Sequence, residues 1–86
     1  MTDKQISIFM ELSRNLSFSK TAEVFNMTQP TITRQIQLLE EDWGLKLFDR
    51  GGKVVKLTKG GKVMADFFDS QCGAIHKALD RAKQCE

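Results

Sequence analysis

Histidine, cysteine and long apolar runs are scarce or absent in this sequence of 86 residues, and each shortage excludes a class of function. A single histidine leaves little from which to build a Ser/His/Asp set, and the glycines form no phosphate-binding pattern at a predicted strand–helix junction. No apolar run approaches the about 20 residues of a membrane-spanning helix, and no segment has the pattern expected of a signal peptide. We therefore expect no enzyme, no cofactor and no membrane association.

The two cysteines, Cys72 and Cys85, are predicted to lie on one helix. Their separation would be about 20 Å, whereas a disulfide needs Cα atoms within about 7 Å, so they do not bridge within the chain. This fits a reducing compartment, and we expect a cytoplasmic protein. Cys72 and His76 share a helix face, and two such pairs across a dimer would offer four zinc ligands. Because one pair lacks the ligand count and supporting contacts of a metal site, we expect an inert face and no metal.

Positive charge is concentrated in one segment, although the whole chain carries a formal net charge of only +2. Residues 1–27 balance three cations against three anions, whereas residues 46–62 hold six cations against Asp49 alone, which gives a local +5. Such a basic segment suits an anionic partner such as nucleic acid.

The segment 28–44 predicts a helix with two different faces, and the rest of the chain is organised around it. Its apolar residues are Ile32, Ile36, Leu39 and Trp43. Their intervals of four, three and four keep them in one stripe that faces a core. The opposite side carries Pro30, Thr33, Arg34 and Gln37. Its hydroxyl, guanidinium and amide groups suit base edges and phosphates.

Both ends of this helix are marked in the sequence. Thr28 is a natural N-cap, and Gly44 supplies the C-terminal cap. Pro30 sits in the first turn, where a missing N–H costs nothing. Near the end, three carboxylates indicate a solvated acidic patch rather than an acid/base pair: Glu40, Glu41 and Asp42.

Two shorter helices are predicted before it. The first runs from Thr2 to about Arg14, with Thr2 and Gln5 as a capping box. Its inward-facing residues are expected to be Ile6, Phe9, Met10 and Leu12.

The second short helix is capped by Ser17 or Ser19 and ends near Asn26, with Ala22 and Phe25 facing the core. Its short link to the third helix predicts a helix-turn-helix arrangement. Helix pairs joined by short turns are common and most bind nothing. The polar helix face and the basic segment are what favour DNA binding here.

Two short apolar segments, 45–48 and 54–57, flank a basic turn and predict a two-stranded hairpin. Gly51 and Gly52 would permit positive φ at its tip, so that the backbone can approach a phosphate chain while Arg50 and Lys53 extend from its flanks. An arginine there suits the narrow minor groove, whose negative potential attracts it. The competing interpretation is a solvated charged turn.

The last predicted helix runs from its N-cap, Thr58, to about Gln84, and Gly60 and Gly61 weaken its first turn. Its apolar content exceeds what a small domain needs, since 86 residues lie near the lower size limit for a self-sufficient core. A partner helix is therefore implied. Alternatively, the apolar stripe packs on its own domain or on a further C-terminal domain.

Several motifs in fixed order and spacing resemble the LysR-type transcriptional regulators of bacteria. They are F-x-x-L at 9–12, S-F-S-K-T-A at 17–22, TQPTIT at 28–33, L-L-E at 38–40, G-L-K-L-F-D-R at 44–50 and V-x-L-T-x-x-G at 55–61. Thr28 and Thr33 stand where the family usually has Ser, Thr21 where it usually has Ala, and Trp43 where it favours Leu. Family members are several-fold longer, and nothing in this sequence corresponds to their effector-sensing domain.

The resemblance implies a mostly α fold. A winged helix-turn-helix DNA-binding domain with a small two-stranded β wing would occupy residues 1–58, and a long linker and dimerisation helix would occupy residues 59–86. It also implies sequence-specific binding to double-stranded DNA. Antiparallel pairing of the last helix with its copy would give a homodimer, and a two-fold dimer is expected to prefer an interrupted palindrome.

Three sets of site residues follow, and the first two overlap. The residues expected to contact DNA are Lys20, Thr28, Gln29, Pro30, Thr31, Thr33, Arg34, Gln37, Arg50 and Lys53. Arg34 suits guanine, and Gln29 or Gln37 suits adenine. The residues expected at phosphates are Lys20, Thr31, Lys46 and Lys56. The residues expected to form the dimer are Met64, Phe67, Phe68, Gln71, Ile75, Ala78 and Leu79.

Two other functions stay open. A winged-helix interaction module would hold a protein partner with its apolar last helix and never touch nucleic acid; replacing Arg34 and Gln37 by Ala would leave that partner bound. A single-strand or RNA binder is less well supported, because the one tryptophan and six phenylalanines lie mostly at helical spacing and indicate core residues rather than stacking platforms.

Overall fold

The protein is an assembly of four helices and a small antiparallel sheet in a computed structural model that describes residues 1–52 and 54–84. The elements in chain order are α1 (Asp3–Asn15), α2 (Phe18–Phe25), α3 (Gln29–Trp43), β1 (Phe48–Asp49), β2 (Lys56–Leu57) and α4 (Lys59–Gln84). None of the described helices combines the length and the apolarity needed to cross a membrane.

The predicted capping box begins α1. The Thr2 hydroxyl accepts from the Gln5 backbone N–H, and the Gln5 side-chain oxygen accepts from the Thr2 N–H, both at 3.1 Å. The helix ends at Leu16, which adopts the left-handed conformation with φ 53°. Phe9, Met10 and Leu12 are buried as predicted, and Ile8 is fully buried although the prediction left it out.

The caps of α2 and α3 set the turn between them. Ser17, rather than Ser19, caps α2 by accepting from the Lys20 N–H at 3.2 Å. Asn26 ends α2 in the left-handed conformation, with φ 55°, a conformation that Asn tolerates better than most residues. Thr28 caps α3 as predicted. Two helices joined by this short, capped turn form the helix-turn-helix unit.

The apolar stripe of α3 forms the centre of the core. Ile32, Ile36 and Leu39 have no exposed surface, as the periodicity predicts. Trp43 lies at the edge of the core, with its ring edge-on to Phe9 at 5.8 Å and stacked on Phe68 of α4 at 5.8 Å. The tryptophan therefore joins three helices where the stripe reaches the surface.

The hairpin is shorter than the sequence predicts. The predicted strands 45–48 and 54–57 reduce to two residues each, with Phe48 opposite Leu57 and Asp49 opposite Lys56. The reason is that the backbone N–H groups before β1 are used elsewhere. The Leu45 N–H donates to the Glu40 carbonyl at 3.2 Å, and the Leu47 N–H donates to the Glu40 carboxylate at 2.7 Å.

The glycines at the hairpin tip, Gly51 and Gly52, do not use the positive φ that glycine permits, since Gly44 is the one glycine with positive φ among the described residues. The Asp49 carboxylate accepts from the Gly51 N–H at 2.9 Å instead. This side-chain bond to the backbone two residues on makes the turn without a left-handed glycine.

Close packing explains the two glycines at the start of α4. Thr58 caps the helix as predicted, since its hydroxyl accepts from the Gly61 N–H at 2.9 Å. A Cβ atom at Gly61 would lie 2.3 Å from the Leu47 carbonyl oxygen, so only glycine fits there. The two glycines weaken the first turn of α4 but allow the helix to approach the segment that enters β1. Ala65 is buried, and the side chains described from residue 69 onward are exposed.

Candidate nucleic-acid interface

The polar face that the sequence predicts for the third helix, called the reading face below, lies at the start of α3 and is open to solvent. Gln29, Pro30, Arg34 and Gln37 are exposed, and Thr33 is half-buried. The core-facing side of the same helix is tied to α1 by the Gln5 side-chain N–H, which donates to the Gln35 side-chain oxygen at 3.1 Å. The helix that carries the reading face is thus held in place by a hydrogen bond to α1 on its other side.

The two threonines of the first turn are partly committed to the cap. The Thr28 and Thr31 hydroxyls lie 2.8 Å apart and share a hydrogen bond, and the Thr28 oxygen also accepts from the Thr31 N–H at 3.4 Å. Both residues are exposed. Because a hydroxyl both donates and accepts, each retains capacity for a further partner such as a phosphate oxygen.

The turn before the reading face is held by buried polar contacts. Thr21, which departs from the alanine usual at this position, has no exposed surface, and its hydroxyl donates to the Asn15 side-chain oxygen at 3.2 Å. The same oxygen accepts from the Ser17 N–H at 2.8 Å. The side-chain amide of Asn15 therefore anchors both the start and the middle of α2. Lys20, which is predicted to contact a phosphate, is exposed next to Thr21 in the chain.

Arg50 packs against α2 rather than extending free from the hairpin. Its guanidinium lies over the Phe18 ring, 4.7 Å from the centroid, in cation–π contact. Phe18 in turn meets Phe48 edge-on, with ring centroids 6.4 Å apart. The sequence did not single out Phe18, because the contact joins residues that are far apart along the chain.

A shallow cleft brings the hairpin and the reading helix together. Its lining includes Ser17, Ser19, Gln29, Arg50 and Val54. Arg50 and Gln29, the first residue of α3, therefore line the same cleft, whereas Lys56 lies on the exposed side of β2. Lys53, the other hairpin residue that is predicted to contact DNA, lies outside the described residues.

Cations dominate this part of the surface. The exposed basic side chains described between residues 46 and 62 are Lys46, Arg50, Lys56, Lys59 and Lys62. In the same range the one described carboxylate, Asp49, is turned to the Gly51 backbone. Clustered cations next to hydroxyl and amide groups can bind a phosphate backbone and present hydrogen-bonding groups to bases.

Glu40 is a structural residue that the sequence interpretation missed. The expected solvated patch is wrong for this carboxylate, which is only 6% exposed, although Glu41 and Asp42 are exposed. Its Oε2 atom accepts from the Leu47 N–H at 2.7 Å and the Phe48 N–H at 3.4 Å. The signal was available, since Glu40 follows Ile36 by four residues and so falls on the buried stripe.

The predicted dimerisation residues of α4 divide into two groups. Met64 and Phe68 are half-buried and pack on the domain's own core. Phe67, Ile75 and Leu79 are 52%, 59% and 50% exposed. The remaining two predicted positions, Gln71 and Ala78, are also exposed. The apolar surface available for a partner is therefore narrower than the sequence stripe.

The predicted pair of Cys72 and His76 depends on the side chain of Cys72, which lies outside what the structure describes. In the part of the chain that the structure does describe, no group of three or more His, Cys, Asp or Glu side chains is placed to hold a metal ion.

Comparisons with known proteins agree with this arrangement. Residues 4–62 match the family model described as bacterial regulatory helix-turn-helix protein, lysR family. The chain is 41% identical over 66 residues to the transcriptional regulator TfdT of Cupriavidus pinatubonensis, a match covering 77% of this chain and 29% of that protein. It is 35% identical over 83 residues to CbbR of Rhodospirillum rubrum, covering 93% and 28%. The chain thus spans less than a third of these curated relatives.

Solved structures share the fold. The BenM DNA-binding domain in complex with benA site 1 DNA superposes with a TM-score of 0.82 at 28% identity, over 100% of both chains. Vibrio fischeri DarR in complex with DNA gives a TM-score of 0.78 at 31% identity, over 98% of this chain and 29% of that one. The predicted winged helix-turn-helix fold with a long final helix is therefore confirmed.

Proposed function

The chain belongs to the lysR family of bacterial regulatory helix-turn-helix proteins, and from that premise we propose that it is the sequence-specific, double-stranded-DNA-binding part of a LysR-type transcriptional regulator. The observation that carries the proposal is the exposed polar face at the start of α3, beside the cationic hairpin. Similar chains whose structures are described as DNA complexes support it.

Base reading is assigned to the exposed side of α3. Helix-turn-helix proteins read bases with the N-terminal part of their second motif helix, in the major groove. Arg34 would pair with guanine, and Gln29 or Gln37 with adenine. Pro30 and Thr33 would add shape and apolar contact along the same face.

Phosphate contact is assigned to residues around that face. The positions are Lys20, Thr28, Thr31, Lys46 and Lys56. Their cations and hydroxyls would fix the register of α3 on the duplex without choosing the sequence. Arg50 would enter the minor groove beside each half-site, with Lys53 expected to act with it.

A homodimer formed through α4 completes the proposal. The half-exposed side chains of Phe67, Ile75 and Leu79 support it, together with Gln71 and Ala78 on the same helix. Burying a Phe or Leu side chain fully contributes about 1.5–3 kcal/mol, so two copies of this face would supply a substantial driving force. A two-fold pair of reading helices would then select an interrupted palindrome, with half-sites about one helical turn, or a multiple of it, apart.

The whole regulator is a further step of the proposal. A linker role for residues 59–86 and a DNA-binding role for residues 1–58 fit a longer regulator that senses an effector in another domain. No catalytic step is assigned to the chain, since the relatives are described as transcriptional regulators. Its place of action would be the bacterial cytoplasm, where the chromosome lies.

A mobility-shift titration tests the proposal. Wild type is titrated against its best DNA site and against random duplex of equal length, beside the double variant Arg34→Ala with Gln37→Ala. The matched control is Lys77→Ala with Lys83→Ala, which removes two exposed cations far along α4. We expect the reading variant to lose the preference for the specific site while the control keeps it. Wild type that binds neither duplex at low salt would contradict the proposal.

A further inference from the structure

Glu40 is an acidic side chain in the interior of a basic domain. Glu40 is 6% exposed, and its side chain projects from α3 toward the segment that enters β1. A buried carboxylate is unfavourable unless hydrogen bonds replace its lost hydration. Here two backbone N–H groups converge on one oxygen, Oε2: Leu47 at 2.7 Å and Phe48 at 3.4 Å.

The neighbouring cation does not account for this placement. Lys46 Nζ lies 3.8 Å from Oε1, at the outer limit of an ion pair, and the lysine side chain is 79% exposed. Such an exposed partner contributes little. Oε1 has no hydrogen-bond partner. The contacts of Oε2 with the backbone are therefore the specific interactions of this carboxylate.

The same residue also holds the link by its main chain. The Glu40 carbonyl accepts from Gly44 N–H at 2.9 Å and from Leu45 N–H at 3.2 Å. Among the described residues, the hydrogen bonds that join side chains of α3 to residues 45–49 are all made by the Glu40 carboxylate. One residue thus connects the end of the reading helix to the start of the hairpin.

Leu47 extends this connection to α4. Its side chain is fully buried, and its carbonyl accepts from the Thr58 N–H at 3.0 Å. Gly61 packs so closely on that carbonyl that a Cβ atom would overlap it. The Thr58 hydroxyl donates to the Lys46 carbonyl at 2.6 Å. The backbone at Leu47 therefore contacts α3 through its N–H and α4 through its carbonyl.

We propose that Glu40 is a positioning residue that fixes the hairpin, and with it Arg50, relative to the reading face of α3. The inference rests on the proposed DNA-binding function. Without the carboxylate, the Leu47 and Phe48 N–H groups lose their partner. The segment entering β1 then loses its side-chain hydrogen bonds to α3, while its bonds to β2 and to Thr58 remain. Arg50 directly follows β1, so the backbone that aims its guanidinium would be held less firmly. The contact with Phe18 alone would then place that group in the cleft it shares with Gln29.

Three variants test this. Glu40→Met keeps an unbranched side chain of similar length but removes both acceptors. Glu40→Gln keeps one neutral acceptor, which makes hydrogen bonds about half as strong as a charged one. Glu41→Met is the matched control, because it removes a carboxylate from the next position, which is exposed.

The first readout is amide hydrogen exchange in the free protein, measured by NMR. Relative to the amide of Leu39 inside α3, exchange at Leu47 and Phe48 should accelerate by about tenfold to a hundredfold in Glu40→Met, the factor typical of a hydrogen bond to a charged group. Glu40→Gln should give a smaller acceleration, and Glu41→Met none. Should Glu40→Met fail to fold, Glu40→Gln decides, because wild-type exchange at both amides in that variant would overturn the proposal.

The second readout is DNA binding on the specific site with and without A·T-rich flanks. A·T-rich flanks narrow the minor groove and so favour an arginine such as Arg50. Glu40→Met should lose the preference for such flanks, as we also expect of Arg50→Ala, while it keeps the half-site preference. Equal acceleration of exchange at all amides, or a flank preference that matches wild type, would overturn the positioning role. Wild type without any sequence preference would instead refute the proposed function, and the exchange result would still stand.

Discussion

Replacing Gly61 by alanine should destabilise the domain although alanine is the better helix former. In an exposed helix interior the change from Gly to Ala is worth about 1 kcal/mol in favour of the helix. Here the new methyl group would lie 2.3 Å from the Leu47 carbonyl oxygen and 3.0 Å from Leu57 Cδ1. The first of these neighbours is backbone, which cannot swing away as the tip of a side chain can.

The magnitude follows from three contributions. Overpacking of a tight site costs about 1–3 kcal/mol. Moving α4 away also weakens the hydrogen bond from the Thr58 N–H to the Leu47 carbonyl, now 3.0 Å, which is worth about 1 kcal/mol. After the helix-propensity gain of about 1 kcal/mol is subtracted, we expect a net loss of about 1–3 kcal/mol in the free energy of unfolding.

The matched control is Gly73→Ala in the same helix. A Cβ at Gly73 meets nothing within 4 Å. The residue is two positions from both Gln71 and Ile75, so it points away from the proposed dimer stripe. This variant should raise the free energy of unfolding by up to about 1 kcal/mol.

Urea denaturation followed by circular dichroism measures both variants. Two protein concentrations separate folding from any effect of dimerisation. The two alanine variants should change stability in opposite directions. Gly61→Ala as stable as wild type, or Gly73→Ala as damaging as Gly61→Ala, would show that close packing of α4 on Leu47 does not explain the glycine.

Three further changes probe the other sites. Arg34→Ala should weaken specific binding by about 1–3 kcal/mol and relax the preference at one base position in a mobility-shift series; equal weakening on random DNA would reassign it to phosphate contact. Phe67→Glu with Ile75→Glu should leave soluble monomers in sedimentation, whereas unchanged sedimentation of a dimer would exclude this face. Thr21→Val should lower the free energy of unfolding by about 1 kcal/mol, since a buried hydroxyl loses its bond to Asn15, and a melting curve equal to that of wild type would refute that assignment.

Most of the fold could be predicted from features that involve residues close together in the sequence. The capping box of α1, the Thr28 and Thr58 caps and the Gly44 terminus all depend on residues within a few positions of one another. The α3 stripe is equally local, because its period alone decides which side faces inward. These features could therefore be predicted without knowing what packs against them.

The contacts that complete the site depend on residues distant in sequence. The Arg50 guanidinium lies over Phe18, 32 positions earlier in the chain, and no periodicity marks that pair. Glu40 is buried because two N–H groups of a later segment need an acceptor, and this also shortens β1. Phe67 and Phe68 are neighbours, so the sequence could not tell which one would stack on Trp43.

Selection of bound duplexes from a random pool tests the central claim most directly. The wild-type chain is incubated with random double-stranded DNA at moderate salt, bound duplexes are recovered over several rounds, and the enriched sites are footprinted. We expect two inverted half-sites whose centres lie about one helical turn, or a multiple of it, apart, and Arg34→Ala should blur one position in each half-site. A pool that binds without enrichment of any sequence, or enriched sites that Arg34→Ala and Gln37→Ala leave unchanged, would contradict sequence reading by α3.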